Sequence, residues 1–496
     1  MINFLKHLDG SGRTPRPVQV EALQWISDNW SSKILCLNLP VGSGKSMIAK
    51  TIADAVGAHV ITPSNVLIDQ YTEIYPNHNF LKGKTHYTCN SGVSCYDWTN
   101  ICEQGACSNC PYVENKNRAF EESTFYNPLS LYYTTADSRW TTPRTVVVDE
   151  MHQLGSMLLM LSGTTLNFSD YKFPKNCTNE LVLIGWMDDQ IRKLQSQIKI
   201  HARDPKRTTQ LAHELSTFRL TRNGVAENPQ NYAIWTEKGT RRGRPELFLH
   251  VKPLTPPRYL VNKLLDCRNL ILMSGTVFPT DIRDLLGDVP YKLLDLPSPV
   301  PKERRPVFVR PVKYAMNRYT DPEQIVRSIE EVLDLHPGEN AIIHVTYSLS
   351  EQLRKFFKHP ILFNDKNNKE AVLEEFKKSG GVFLAAGCAE GIDLKGNLCR
   401  VNIIPKMPYP NLGDPMVAKR KTLEDGEDWY TSCIMKTLIQ QVGRSTRSET
   451  DWSASYILDP NFQRKFNECK DKLPQSFTES VTQFSTEGLR RLHELR

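Results

Sequence analysis

The sequence predicts an α/β protein with two parallel-sheet domains, the first interrupted twice by insertions. Three observations carry that expectation. Short apolar runs alternate with helical patterns near both ends of the chain, the rhythm of parallel sheets covered by helices. Five of the twelve cysteines crowd into a loop-rich stretch between Cys89 and Cys110. A helical pair and two strand-like runs then break the α/β rhythm between about 166 and 251.

At 496 residues the chain exceeds one ordinary domain, and two to four units are expected. With 40% hydrophobic and 24% charged residues it reads as globular, and the net charge of +7 permits a polyanionic partner without requiring one. No apolar run reaches the roughly 20 residues that span a bilayer. The first residues carry no apolar block with a cleavage site, so no signal peptide and no membrane partner are expected. An intracellular setting follows, cytoplasmic or nucleoid-associated. Structural disulfides are rare there, so the clustered cysteines point to a metal, while the seven scattered ones read as small buried hydrophobes.

In chain order, Lys33–Leu39 is an expected strand, Lys45–Val56 a helix, and His59–Thr62 and Thr145–Val148 strands. Ile184, Met187, Ile191, Leu194 and Ile198 recur at helical spacing, and Leu211, Leu215 and Phe218 mark a second helix packed on the first. Asn231–Trp235 and Glu246–Val251 read as two strands joined by a tip carrying Arg241, Arg242 and Arg244, more simply a solvated run than a phosphate contact. Leu270–Met273 resumes the sheet, and a proline-rich connector from Pro297 to Pro311 marks the next boundary. Ala341–Val345, Gly381–Ala385, Arg400–Ile404 and Ser455–Leu458 are the strands expected beyond it.

Between the first strand and the first helix of this pattern lies Asn38-Leu39-Pro40-Val41-Gly42-Ser43-Gly44-Lys45-Ser46. The Gly42-Ser43-Gly44 turn lets backbone N–H groups face phosphates, and the following helix adds its positive end. Lys45 would reach the β- and γ-phosphates and Ser46 would ligate Mg²⁺. Leu39 stands where a strict pattern has glycine. After the strand ending at Val148, Asp149 would sit beside the metal and Glu150 would orient and deprotonate water. An acidic pair after a strand is common on its own; with the phosphate loop it forms a hydrolytic pair. Near the C-terminus, Gln440 to Arg447 places Arg444 and Arg447 three apart, on one face if helical. A guanidinium delivered from a second domain stabilises phosphoryl-transfer charge, although a surface pair at a helix end is the plainer reading of Arg447 alone.

These segments resemble superfamily 2 DNA helicases of the XPD/DinG group, those with an iron–sulphur insertion. Arg16-Pro17-Val18-Gln19 resembles the entry motif, Thr62-Pro63-Ser64-Asn65 motif Ia, and Asp149-Glu150-Met151-His152 the Asp-Glu-Ala-His box, with Met151 in the alanine position as a packing change. Met273-Ser274-Gly275-Thr276-Val277 is similar to motif III, Ala389-Glu390-Gly391-Ile392-Asp393 with Pro408-Tyr409-Pro410 to motif V, and Gln440 to Arg447 to motif VI. The matches follow the family's order over roughly residues 16 to 462.

The resemblance implies two RecA-like motor domains, the first carrying a cysteine-rich metal-cluster insertion and a small helical arch-like insertion. The implied division is 1–80 with 123–165 and 252–297 for the first motor domain, 81–122 for the cluster domain, 166–251 for the arch and 298–496 for the second motor domain. Gln19, Gly42, Ser43, Gly44, Lys45, Ser46, Asp149 and Glu150 would hold and hydrolyse MgATP from one bank. Arg444, Arg447 and Gln440, the last near the γ-phosphate, would complete the site from the other, with Asp393 at the domain interface and His152 linking to strand-binding motifs. Ser64, Thr276 and Tyr347 are the implied contacts to the strand.

Thiolates hold zinc and iron–sulphur clusters equally well, so spacing leaves the metal open; the resemblance implies 4Fe–4S. Five cysteines compete for four places: Cys89, Cys95, Cys107 and Cys110 are the expected ligands, with Cys102 the rival of Cys95. Tyr96, Trp98 and Tyr112 could stack on bases nearby, or simply pack. The implied activity is ATP-dependent unwinding of DNA, translocating 5′ to 3′ on single strands, by a monomer working on single-stranded or forked DNA and possible replication or repair proteins. The rival readings are a translocase or RNA remodeller without strand separation, and a zinc-stapled ATP-dependent adaptor.

Overall fold

The structure is a computed structural model, and it describes residues 2–8, 14–88, 110–127, 129–135, 144–317, 319–388, 394, 396–443, 446 and 450–495. After a one-turn helix at Leu5–Leu8 come helix α1 (Pro17–Asp28), β1 (Ile34–Asn38), α2 (Lys45–Val56), β2 (His59–Ile61), α3 (Asn65–Ile74) and β3 (Asn79–Leu81). Helix α4 (Pro111–Arg118) leads to β4 (Thr124–Tyr126) and β5 (Val146–Val148). A separate unit follows, made of β6 (Thr164–Asn167), helices α5 (Glu180–Ile200) and α6 (Pro205–Glu227), and the hairpin β7 (Tyr232–Arg241) and β8 (Arg244–Pro253). The chain then returns with β9 (Leu270–Ser274), α7 (Pro279–Leu286) and β10 (Lys292–Asp295).

These strands form a seven-stranded sheet of order β10-β1-β9-β5-β2-β4-β3, with every pairing parallel. β1, β5 and β9 are buried along their whole lengths because helices cover both faces, which is why they read as unbroken apolar runs. Parallel pairing also brings the segments that follow β1, β5 and β9 to one edge of the sheet, where α/β folds bind ligands.

The second lobe holds β11 (Val307–Val309), β12 (Ala341–Val345), α8 (Tyr347–Leu353), β13 (Ile361–Phe363), β14 (Val382–Ala386), β15 (Val401–Ile404), α9 (Pro415–Lys421), α10 (Gly426–Val442), β16 (Ala454–Ile457) and β17 (Val481–Gln483). Its sheet, order β13-β14-β12-β15-β16-β11-β17, is likewise parallel. The segment expected to be only a proline-rich connector thus contains β11, an inner strand of this sheet.

The inserted unit has its own core, in which Trp186, Met187 and Leu194 of α5 meet Leu211, Leu215 and Phe218 of α6 beneath the antiparallel sheet β6-β8-β7. The hairpin runs longer than expected, to Arg241 and Arg244, so its polar half is strand as well. Arg241 at the tip is tied to Asp170 at 2.9 Å and to Asn167 at 3.0 Å.

The span expected as a separate cluster domain, 81–122, joins the first lobe at both ends: Leu81, Cys110, Tyr112 and Ala119 belong to that lobe's core. Tyr112, considered for base stacking, is buried there with its ring edge-on to Tyr87. The two lobes are keyed together. Phe278, just beyond β9, is fully buried among Met407, Ile434 and Met435 of the second lobe. Beside it, the buried Arg420 of α9 reaches Asp284 of α7 at 3.1 Å and Asp425 at 2.8 Å, and Lys436 of α10 pairs with Asp281 of α7.

Candidate nucleotide site

A cavity of about 760 Å³ opens between the carboxyl edge of the first sheet and the second lobe. On the first-lobe side, the loop after β1 turns through Gly42 and Gly44, both in the left-handed region (φ 85° and 78°). At Gly44 a Cβ would also overlap the Gln19 amide, so glycine is required there twice over. Gln19 fixes this corner by accepting from the Arg16 N–H at 2.9 Å and donating to the Gly44 carbonyl at 3.3 Å. Arg16 itself donates to the Gly42 carbonyl. Leu39 is not in the left-handed region, so no glycine is needed there; its N–H donates to the Ser274 carbonyl at 2.7 Å and pins the loop to the end of β9. Lys45 and Ser46 open α2, so their N–H groups fall among the helix-terminal donors that lack an intrahelical acceptor. The Lys45 ammonium rests on the Leu39 carbonyl at 3.4 Å. The Ser43 hydroxyl is fully buried with no protein partner among the described residues.

Asp149 and Glu150 follow β5 into the same cavity. Asp149 is 2% exposed, and its Oδ1 accepts from the Glu150 N–H at 2.9 Å. Burial, with the neighbouring Glu150 charge adding to it, pushes its carboxyl up to about 6. Glu150 goes the other way, to about 2: burial acts upward on it too, but Lys45 and His152 outweigh that. Its backbone sits in the left-handed region (φ 52°, ψ 51°), a conformation that side-chain-bearing residues keep only where the surroundings enforce it. The surroundings here are a triangle: the Ser274 hydroxyl lies 3.4 Å from Glu150 Oε2 and 2.8 Å from His152 Nδ1, and His152 Nδ1 lies 3.4 Å from the same carboxylate. Met151, between the two functional residues, is buried in the core, as its apolar character implied.

From the second lobe, Gln440, Val442, Gly443 and Thr446 line the cavity. A Cβ on Gly443 would lie 3.6 Å from Val41 Cγ2, so this segment faces the phosphate loop directly. Both polar atoms of the Gln440 amide are buried and form no hydrogen bond with a described residue. Arg444, Arg447 and Asp393 lie outside the described residues, as do Cys89, Cys95, Cys102, Cys107, Tyr96 and Trp98. Cys110, 5% exposed, caps the N-terminus of α4. Among the described residues, no group of three or more potential ligands could hold a metal ion.

The residues expected at the strand divide. The Ser64 hydroxyl accepts from the Leu67 N–H at 3.3 Å and caps α3 at the cavity's rim. Thr276, only 5% exposed, turns inward beside Ser274 and lines the same cavity as Asp149 and Glu150. Tyr347 opens α8 after β12, its ring close to Gly387 and within 6.0 Å of the Lys366 ammonium. Sequence reasoning passed over Tyr71, whose hydroxyl donates to Asp149 Oδ2 at 3.1 Å. Its spacing from Ile68 and Tyr75 makes it look like one more member of an apolar helix stripe.

The helicase C-terminal domain model matches residues 327–480. The chain is 24% identical over 284 residues to the ATP-dependent DNA helicase CHL1 of Candida albicans, covering 46% of this chain and 33% of that protein. It is 26% identical over 190 residues to the ATP-dependent DNA helicase YoaA of Escherichia coli, covering 35% and 29%. A probable ATP-dependent helicase of Methanocaldococcus jannaschii matches at 24% over 204 residues, 34% of this chain and 31% of that protein. The matched stretches thus span about a third of the length of these relatives. In fold, the chain is similar to a solved XPD helicase (TM-score 0.59, 14% identity, 95% of this chain and 100% of that one) and to S. tokodaii Xpd4 (0.58, 13%, 95% and 100%). The ordered motifs, the paired parallel sheets and these matches agree: residues 327–480 carry a helicase C-terminal domain, and the chain is similar over part of its length to ATP-dependent DNA helicases and in fold to XPD helicases.

Proposed function

We propose that this protein is an ATP-dependent DNA helicase that translocates 5′ to 3′ on single-stranded DNA. The observation that carries the reading is the inter-lobe cavity, in which Lys45, Asp149 and Glu150 of one lobe face the buried Gln440 amide of the other, which has no hydrogen-bond partner among the described residues. The donor set fits a magnesium nucleotide. Ser46 and Asp149 offer hard oxygen ligands of the kind Mg²⁺ takes, and Gln440 offers a buried amide awaiting a polar partner. Bound magnesium would neutralise charge on the β- and γ-phosphates.

The chain's own residues do the rest. Lys45 and the N-terminal amides of α2 hold the phosphates. Glu150, held ionised by Lys45 and His152, accepts a proton from the attacking water, and Ser274 and His152 keep its carboxylate aimed. Gln440, Arg444 and Arg447 close on the γ-phosphate from the second lobe, with Asp393 at the junction. Ser64 and Tyr347 contact the strand, while Thr276 and Ser274 relay the nucleotide state toward it through His152. A base-pair step holds on average about 1.4 kcal/mol of stacking, small enough for single hydrolysis events to drive unwinding.

We further propose that Cys89, Cys95, Cys107 and Cys110 hold a 4Fe–4S cluster that staples the insertion beside the fork. Support comes from the cysteine-rich stretch lying between motif Ia and the Asp-Glu box, and from the thiolate chemistry of the set. The whole reading is tested with forked duplexes bearing a 5′ or a 3′ tail, using anaerobically purified, brown protein. MgATP-dependent unwinding of the 5′-tailed fork alone is expected. Stimulated ATP turnover with no strand separation on either fork would favour the translocase reading, and colourless, zinc-loaded protein would overturn the cluster.

A further inference from the structure

We propose that Tyr71 is a positioning residue for the magnesium site, holding the Asp149 ligand in one geometry and tying it to helix α3. The inference deepens the nucleotide-site reading and rests on it. Tyr71 is 1% exposed, seated in the first lobe's core between α3 and the sheet. Its hydroxyl donates to Asp149 Oδ2 at 3.1 Å. A phenol, whose ordinary pKa is about 10, is protonated at neutral pH and therefore a donor.

Asp149 has one oxygen engaged by the Glu150 N–H and the other by Tyr71, so its carboxylate plane is fixed before any cation arrives. Groups that orient ligands in this way typically contribute 10- to 100-fold to metal affinity.

Tyr71 also lies on the helix that Ser64 caps. A shift of α3 driven by a strand at its N-terminus therefore moves the phenol that holds Asp149. A mechanical connection of one helix separates the strand-facing end from the metal.

The test is Tyr71→Phe in the full chain, which keeps the ring and removes only the hydroxyl. A fluorescent ADP analogue is titrated with Mg²⁺, and its affinity is also measured in EDTA. The variant is expected to need at least 10-fold more Mg²⁺ for half-maximal nucleotide binding, with the EDTA affinity unchanged and the ligand-free melting temperature close to wild type. Mn²⁺ binding followed by electron paramagnetic resonance should weaken by the same factor. Magnesium titrations that superimpose for variant and wild type would overturn the role of Tyr71. Wild-type protein whose nucleotide binding ignores Mg²⁺ would instead overturn the site reading on which it rests.

Discussion

The two banks of the nucleotide cavity are built on opposite plans. On the first lobe nearly every functional group already has a protein partner: Gln19 holds Gly44, Tyr71 holds Asp149, and Ser274 with His152 holds Glu150 in a left-handed backbone. On the second lobe the Gln440 amide has no such partner among the described residues, and what fixes the bank is remote, the Arg420 network and the Phe278 key. The difference teaches that one bank is preorganised and the other completed by ligand. Preorganised charge costs no reorganisation during reaction, whereas a buried unsatisfied amide favours whatever ligand satisfies it.

The largest expected effect breaks the preorganised bank. Lys45→Ala removes the cation that faces the phosphates and lowers the Glu150 carboxyl; nucleotide binding and turnover should fall at least 100-fold in an ATPase assay, with circular dichroism unchanged. Next comes the key between the banks. Arg420→Ala strands two acidic groups at a buried interface, a change on the order of 3 kcal/mol, so chemical denaturation should lose cooperativity between the lobes.

A smaller effect sharpens the comparison, and its sign is specific. The Asp149 carboxyl lies above its ordinary value of 3.8, at about 6, so the ligand-free folded state binds more protons than the unfolded chain between those values. Stability therefore falls as pH rises through that window. Asp149→Asn should remove the fall and raise ligand-free stability at neutral pH by roughly 1–3 kcal/mol, while abolishing turnover. Thermal melts from pH 4 to 7 check it. The smallest effect is Gln440→Leu, which should leave the ligand-free unfolding free energy equal or slightly higher, by no more than about 1 kcal/mol, yet weaken nucleotide-dependent closure measured by inter-lobe fluorescence transfer.

The same contrast explains what was legible in the sequence. The strands that carry the site, β1, β5 and β9, are buried on both faces, so their apolar runs announced them, and Lys45–Val56 begins at the lysine the glycine turn predicts. Strands β3, β10, β13 and β17 are partly exposed, so no unbroken apolar run marks them, and β11, though buried, lay hidden among prolines. Motif residues were readable because each chemistry needs a residue type at a spacing. Tyr71 and Arg420 were not, since their roles exist only through partners 78 and 136 residues away.

The central claim is that the inter-lobe cavity hydrolyses ATP with Glu150 as the base. Turnover of Glu150→Gln with and without single-stranded DNA tests it most directly. MgATP should still bind while DNA-stimulated hydrolysis falls by roughly 10²–10⁴-fold, the usual contribution of such a base. Hydrolysis at the wild-type rate in that variant would contradict the account.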